Sequence, residues 1–336
     1  MRTVPWIPRV LVLGAFLVGA GSAVAGPPGD DLIGRLGVHE VAPGETLLDV
    51  ARRFDLGFVE LRAANPGVDP WIVPPGTAVS LPTAHILPDA PREGIVINLA
   101  EQRLYYFPPD GAPAMTFPVG IGRRGWETPL GRTRIAGKRK NPSWTPPPSI
   151  RAKDPALPAV VPPGPDNPLG AYALDLAWAG FVIHGTNKPY GIGRRVSHGC
   201  IRLYPEDIAR LFPLVAPGTP VTVVDQPIKL GWSAGGLYLE VHPTQSQADQ
   251  IEAEGRFTPR HVSDIAWRVV RAAGAADVRL DWPLIDRVVA RRRGIPVRID
   301  TMAVAQGRQS ARPPSSSLSS ASSASSASSA AKAPPG

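Results

Sequence analysis

Apolar residues between positions 38 and 83 have the spacing of two short helices enclosed by two short strands. The apolar residues of LLDVARRF recur three and four positions apart, so they share one helical face. Thr46 can cap this helix, with Asp49 as its reciprocal partner. A second helix fits 58–64, and the strand-like runs VHEV and AVSLP enclose both helices. The pattern predicts a strand-helix-helix-strand (βααβ) module at 38–83.

From about residue 94 the pattern changes to short apolar runs that are typical of strands. These runs are GIVINL, RLYYF, TFPVGIG, GRTRIAG, AYALDLAW, GFVIHG and TPVTVVD, and AEQ between the first two favours a hairpin. The proline-rich stretch 141–168 excludes an ordinary strand, and long loops of this kind are often functional. One helix fits 205–212, with proline in its first turn. Residues 94–225 are therefore predicted to form a mainly β domain.

The remaining chain divides into an ordered and a low-complexity part. Residues 226–301 are predicted to be α+β, with a strand at 236–241 and helices near 245–254, 261–273 and 282–292. The stretch 306–336 repeats SSA and cannot bury a core, so we predict a disordered tail rich in Ser, Ala and Pro.

The first 25 residues have the pattern of a cleaved export signal. Arg2 and Arg9 accompany an apolar run, Val10–Ala20, which is too short to span a bilayer. Ala23-Val24-Ala25 has the small-x-small form of a cleavage site. The alternative is an uncleaved membrane anchor, which the short run disfavours. We predict a mature chain that begins near Gly26 and lies in the periplasm.

Charge and cysteine content narrow the function. The formal net charge is +8, and loss of Arg2 and Arg9 with the signal leaves +6, because residues 1–25 contain no acids. A basic chain favours anionic partners such as membrane surfaces or carboxylate-rich polymers, and export disfavours nucleic acid. Cys200 is the only cysteine, so no internal disulfide can form. A free thiol outside the cytosol is either buried and inert or chemically active.

Cys200 lies in the stretch HGTNKPYGIGRRVSHGCIRL, which also holds His184 and His198. An imidazolium close to the thiol would stabilise its thiolate, and backbone N–H groups would stabilise the oxyanion formed on attack. His198 shares the face of Cys200 if the segment is extended, Gly199 permits close approach of a substrate, and Arg202 could bind a carboxylate. Spacing alone predicts a candidate cysteine nucleophile, with an inert buried cysteine as the alternative.

The same stretch closely resembles the signature of the L,D-transpeptidase catalytic domain, or YkuD domain. That signature is a histidine, a loop, Ser/Thr-His-Gly-Cys, an apolar residue and Arg or Asn; His184 and 197–202 match it position by position. INLAEQRLYYF and PVGIGRRGWETPLG resemble the periplasmic ErfK/YbiS-type branch. The module at 38–83 resembles a LysM domain, which binds glycan strands of peptidoglycan. The resemblance implies a YkuD-type β-sandwich with a short helix for 94–225.

The resemblance also implies a mechanism. Cys200 would attack the carbonyl of meso-diaminopimelate in a tetrapeptide stem, release D-Ala and pass the acyl group from a thioester to an amine. His184 would be the base, oriented by the carbonyl of Gly185, and backbone N–H groups at Gly199 and Cys200 would bind the oxyanion. Substrate contacts are expected at Ser197, Tyr190, His198 and Arg202. No metal or other cofactor is implied, because two histidines without an acidic cluster are too few for a metal site.

Several alternatives stay open at this point. The acceptor is either a second diaminopimelate, which gives a 3-3 cross-link, or the terminal lysine of an outer-membrane lipoprotein. A hydrolase on the same scaffold would use water, as an L,D-carboxypeptidase or endopeptidase, and a non-enzymatic wall-binding protein is a further alternative. Because the module pattern is self-contained, we expect its deletion to weaken binding to sacculi and to spare activity on short stem peptides.

Overall fold

The computed structural model describes residues 30–302. The predicted export signal and the predicted Ser/Ala/Pro tail lie outside the described residues. Within 30–302, every helix is too short or too polar to cross a bilayer.

The first part of the chain has the predicted order of two helices between two strands. Its elements are β1 (Leu32–Gly34), β2 (Gly37–Glu40), α1 (Leu47–Arg53), α2 (Phe58–Ala64), β3 (Ala78–Leu81) and β4 (Ala84–Ile86). β2 pairs antiparallel with β3, and β1 pairs with β4. Thr46 and Asp49 form the predicted capping box at the start of α1. The apolar face of α1 packs with Leu61 and Val79 in a small core of its own.

The central part is mainly β, as predicted. Its elements are β5 (Gly94–Asn98), β6 (Arg103–Phe107), β7 (Met115–Pro118), β8 (Ile121–Gly122), β9 (Gly131–Lys140), α3 (Pro148–Arg151), β10 (Tyr172–Leu176), β11 (Val182–His184), β12 (Arg195–Ser197), β13 (Ile201–Arg202), α4 (Pro205–Leu211) and β14 (Pro220–Val224). β5 and β6 form the predicted hairpin. The proline-rich stretch runs outside the sheet with one short helix, α3, and a single bridge between Trp144 and Val161.

Eight of these strands lie in one sheet, in the order β13-β11-β10-β9-β14-β5-β6-β7, and β8 pairs with β12 in a separate ribbon. The predicted β-sandwich is thus a single sheet that curls on itself. Gly120, just beyond β7 at one edge, exchanges two backbone hydrogen bonds of 2.8 Å with Arg202 in β13 at the other edge. The curl occurs because residues from both edges, such as Phe117 and Ile201, share one buried core.

The third part is α+β, as predicted. Its elements are β15 (Ile228–Ser233), β16 (Gly236–Val241), α5 (Gln245–Glu254), α6 (Ile265–Ala273), β17 (Val278–Leu280), α7 (Trp282–Arg291), β18 (Val297–Arg298) and β19 (Asp300–Met302). The sixth helix begins later than the sequence pattern predicts, after Asp264 at its N-cap.

The βααβ module is fastened to the curled sheet by a buried ion pair. Arg103 in β6 places its Nη2 2.6 Å from Glu60 Oε2 in α2, and both side chains are about 2% exposed or less. Arg103 also donates to the carbonyl of Asp55 at 3.1 Å. Burial alone would raise the pKa of Glu60, but the positive charge of Arg103 outweighs it and holds that pKa below its usual value. The module thus has a buried contact with the sheet that its sequence pattern does not indicate.

A second buried network joins the third part to the sheet. Lys229 Nζ in β15 lies 2.6 Å from Glu101 and 3.2 Å from Glu240, and all three side chains are about 1% exposed or less. His242 Nε2 lies 2.6 Å from Glu240 Oε1. Because each buried charge has a partner, the three parts are held in one arrangement.

Candidate active site

Two neighbouring parallel strands bring the predicted catalytic residues together. In the ladder between β11 and β13, His184 is the register partner of Arg202, so both side chains leave the same face of the sheet. Cys200 directly precedes β13, and Arg202 lies near enough for its charge to act on both the Cys200 thiol and the His184 imidazole. The structure thus brings His184, Cys200 and Arg202 together at the edge where the sheet closes.

His184 is held in one tautomer. Its Nδ1 lies 2.6 Å from the carbonyl oxygen of Gly185, which confirms the predicted contact. A carbonyl only accepts, so Nδ1 carries the proton and Nε2 keeps a free lone pair. His184 is 3% exposed, and burial together with the positive charge of Arg202 lowers its pKa to about 3. The imidazole is therefore neutral at physiological pH and has the form of a general base.

The thiol of Cys200 is protonated in this environment. Its Sγ donates to the carbonyl oxygen of Gly180 at 3.7 Å. Burial raises the pKa of the thiol, and the Val182 N–H and the Arg202 charge offset only part of this effect. Burial thus favours the neutral form of both partners over the thiolate-imidazolium pair that the sequence pattern suggests.

Ser197 fixes the turn that presents the thiol. Its hydroxyl donates to the carbonyl of Cys200 at 2.6 Å and accepts from the N–H of Gly199 at 3.1 Å. Ser197 is fully buried, so the sequence expectation of a substrate contact is replaced by a structural role. The N–H of Gly199, expected in the oxyanion hole, is likewise occupied by this hydroxyl.

Gly199 itself is required by the turn. Its φ is +102°, in a region that side chains strongly disfavour, and an added Cβ would lie 2.8 Å from the Phe181 ring. Thr128 supports the same turn by donating to the carbonyl of Gly199 at 2.8 Å. No sequence signal pointed to Thr128, which is distant along the chain from the catalytic motif.

The turn also separates His198 from Cys200, because it breaks the strand alternation that would have put both on one face. The His198 ring packs edge-on against Trp126, with centroids 4.7 Å apart, and its Nε2 lies 2.7 Å from Arg123 Nη2. Burial, followed by the charges of Arg123 and Lys153, lowers its pKa. His198 is thus held by Arg123 and Trp126.

A cavity of about 510 Å³ opens beside this catalytic face. The proline-rich stretch forms one side of it and the segment from Lys188 to Arg202 the other; the lining residues include Trp144, Leu157, Val161, Tyr190, Arg194 and Arg202. Tyr190 is 57% exposed, as a substrate-binding side chain requires. Sequence reasoning missed Arg194, whose only signal was its place in the RRVSHGC run.

Comparisons with known proteins identify the family of the chain. The family model described as the L,D-transpeptidase catalytic domain, YkuD, matches residues 92–223. The chain belongs to the L,D-transpeptidase family and is an enzyme of that class.

Curated relatives extend the match over most of the chain. The probable L,D-transpeptidase YcfS of Escherichia coli K12 is 42% identical over 81% of this chain and 86% of its own length. The probable L,D-transpeptidase YbiS of the same strain is 39% identical over 87% of this chain and 98% of its own. The probable L,D-transpeptidase ErfK/SrfK of Salmonella typhimurium is 37% identical over 89% of this chain and 97% of its own length. The similarity therefore includes the regions that flank the catalytic domain.

Proposed function

We propose that the protein is a periplasmic L,D-transpeptidase that acts on tetrapeptide stems of peptidoglycan through a thioester on Cys200. The observation that carries the proposal is the pairing of His184 with Arg202 beside Cys200, with Nδ1 of His184 bonded to Gly185. An imidazole held in this tautomer can accept a proton at Nε2. The Cys200 thiol is protonated before attack, so it can transfer its proton to Nε2 of His184.

The reaction divides into two acyl transfers. As the Cys200 sulfur bonds to the carbonyl carbon of diaminopimelate, its proton passes to Nε2 of His184. The C–N bond to D-Ala then breaks, and His184 returns the proton to the departing nitrogen. An acceptor amine next attacks the thioester and loses a proton to His184. The C–S bond then breaks, and His184 passes that proton to the sulfur, which regenerates the thiol and the neutral imidazole.

The oxyanion of each tetrahedral intermediate needs donors from the turn at the thiol. Since Ser197 already occupies the N–H of Gly199, we assign the principal donor to the N–H of Cys200. The positive charge of Arg202 near the thiol adds electrostatic stabilisation. Gly199 contributes through its conformation, which presents this N–H, and less through its own N–H than the sequence suggests.

We further propose that the βααβ module acts as a LysM domain that binds the glycan strand. Its exposed apolar residues support this role, because Trp71 and Ile72 are 57% and 80% exposed in a loop of the module. The acceptor is an amine, either of a second stem or of a lipoprotein lysine. Binding the polymer near the catalytic site would raise the effective concentration of its stems.

Purified protein incubated with a soluble tetrapeptide stem tests the function. We expect D-Ala release, a thioester adduct on intact-protein mass spectra, and a cross-linked dimer or an amide with a lysine peptide. A carbapenem, used as an acylating probe, should give an adduct on wild type and none on Cys200→Ala. Trimmed stems without any amine adduct would identify a hydrolase, and absence of every adduct would contradict the proposal.

A further inference from the structure

Arg194 lies where all three parts of the chain meet. Its guanidinium carbon is 3.8 Å from the ring centre of Phe58 in α2, and its Nη1 is 3.1 Å from Glu252 in α5. The N–H groups of Phe58 and Val59 donate to the carbonyls of Ile192 and Gly193, at 3.3 and 3.1 Å. The βααβ module and the third part therefore hold this segment in place, although neither carries a catalytic residue.

The guanidinium of Arg194 is fixed in position, but some of its N–H donors have no hydrogen-bond acceptor. Its side chain is 13% exposed, and its Nε and Nη2 are buried without a hydrogen-bond partner. A buried donor without a partner is costly, so an acceptor on a ligand in the cavity would relieve this cost once the side chain turned these N–H groups toward it. Arg202, on the same wall, also has a buried Nε without a partner. Guanidinium groups with free N–H donors match a carboxylate in geometry and charge.

The same cavity also carries acidic side chains. Asp154 and Asp166, both in the proline-rich stretch, line it and are exposed. A ligand with a carboxylate and an ammonium on one carbon would complement both kinds of charge. Because Arg202 adjoins both Cys200 and the cavity, the residue whose carbonyl is attacked can extend its side chain into the cavity.

We propose that Arg194 is a specificity-determining residue that binds the side-chain carboxylate of diaminopimelate in the donor stem. The inference rests on the proposed function. Diaminopimelate is lysine with an added carboxylate at the carbon that bears the ammonium group, so this contact would separate the two residues. Phe58 and Glu252 act as positioning residues, since they hold Arg194 and have no predicted contact with the substrate.

The test compares three soluble stems that contain diaminopimelate, its side-chain carboxamide or lysine. Thioester formation on Cys200 is followed without an acceptor amine, so only the donor step is measured. Wild type should prefer the free carboxylate by about 10- to 100-fold in kcat/KM, the range for a charge-assisted hydrogen bond. Arg194→Gln should lose this preference by slowing only the diaminopimelate stem, and Arg194→Lys should restore part of it.

Arg195→Gln is the matched control, because Arg195 also pairs with an acid of α5, Asp249, and also has a buried Nε without a partner, but it does not line the cavity. It should leave the ratio between the stems unchanged. Glu252→Gln should raise KM for the diaminopimelate stem more than for the lysine stem.

Two outcomes would overturn the inference: an Arg194→Gln variant that slows all stems equally, or a wild type that acylates all of them equally. In the second case the thioester still forms, so the proposed function survives. If no stem acylates wild type while a carbapenem does, the proposed function itself fails.

Discussion

The catalytic face and the cavity wall beside it are built in different ways. His184 is placed by backbone pairing between adjacent strands of one domain, and Ser197 fixes the turn that carries Cys200 from within the same motif. Arg194 is placed by side chains from α2 and α5, which belong to the flanking parts. The reacting groups thus depend on local structure, whereas recognition depends on how the three parts assemble.

The largest expected effect concerns the locally built face. His184→Ala should lower the rate of carbapenem acylation at pH 7 by about 10²- to 10⁴-fold, the usual contribution of a general base. The rate should recover partly at alkaline pH, where the thiol ionises unaided. Because burial raises the thiol pKa, recovery should begin above the usual range for cysteine. Stopped-flow acylation from pH 5 to 10 measures it.

His198→Ala is the matched control for this experiment, since it removes a histidine of the same motif. It should weaken acylation through loss of packing on Trp126, without alkaline recovery. Wild type should show no inflection near pH 6.5, because His184 stays neutral down to about pH 3. Recovery in His198→Ala but not in His184→Ala would reverse the two roles.

Glu60→Ala tests how strongly the module is attached to the sheet, because it removes the buried ion pair between them. It leaves Arg103 charged and buried without its partner, which costs about 3–5 kcal/mol in the free energy of unfolding. Urea unfolding measures the change, and Glu93→Ala is the control, because its pair with Arg132 is more than half exposed. A loss equal to that of the control would mean that the module is independent after all. By the same reasoning, deletion of the module should impair activity on short stems as well as on sacculi.

Gly193→Ala tests whether contact with the module shapes the cavity wall. Gly193 has φ +70°, and an added Cβ would lie 2.2 Å from the Cα of Gly57. We expect a loss of about 1–3 kcal/mol and a higher KM for the diaminopimelate stem, as Arg194 shifts. Gly111→Ala has a similar φ of +77° but open space around the added atom, so it isolates backbone strain from crowding. Equal KM values in the two variants would contradict the coupling.

The smallest expected effect is on pH-dependent stability at the junction of α4 with the module. Burial and the charge of Asp55 raise the pKa of Asp207 to about 7, above its unfolded value of about 3.9. The contribution of Asp207 to the free energy of unfolding is therefore complete below its pKa in the unfolded state. This contribution is lost as pH rises through its pKa in the folded state. Wild type should lose about 1 kcal/mol between pH 6.5 and pH 8, and Asp207→Asn should not. Thermal melts at both pH values provide the comparison, and parallel losses would contradict it.

Sequence reasoning succeeded where the signal is local. The capping box of Thr46, the β5–β6 hairpin and helix α5 were predicted because each follows from residues a few positions apart. The contact between His184 and Gly185 followed from the family motif.

Sequence reasoning did not reach features that depend on residues far apart along the chain. The neutral state of His184 and Cys200 depends on burial by the whole domain, and the occupied N–H of Gly199 depends on the turn geometry. The pairing of Arg103 with Glu60, and of Arg194 with Phe58 and Glu252, joins elements far apart along the chain. Such contacts have no periodic pattern, so the sequence offered no sign that the module is fastened to the catalytic domain.

The closure of the sheet has a kinetic consequence. Gly120 and Arg202 pair across the two edges, and Arg202 adjoins the thiol. Contacts between residues so far apart form late in folding, because the entropy cost of closing a long loop precedes the free energy that the contacts contribute. A newly synthesised chain would therefore carry its thiol through most of folding without a working site. Acylation by a carbapenem, followed during refolding, would then report the final closure of the sheet.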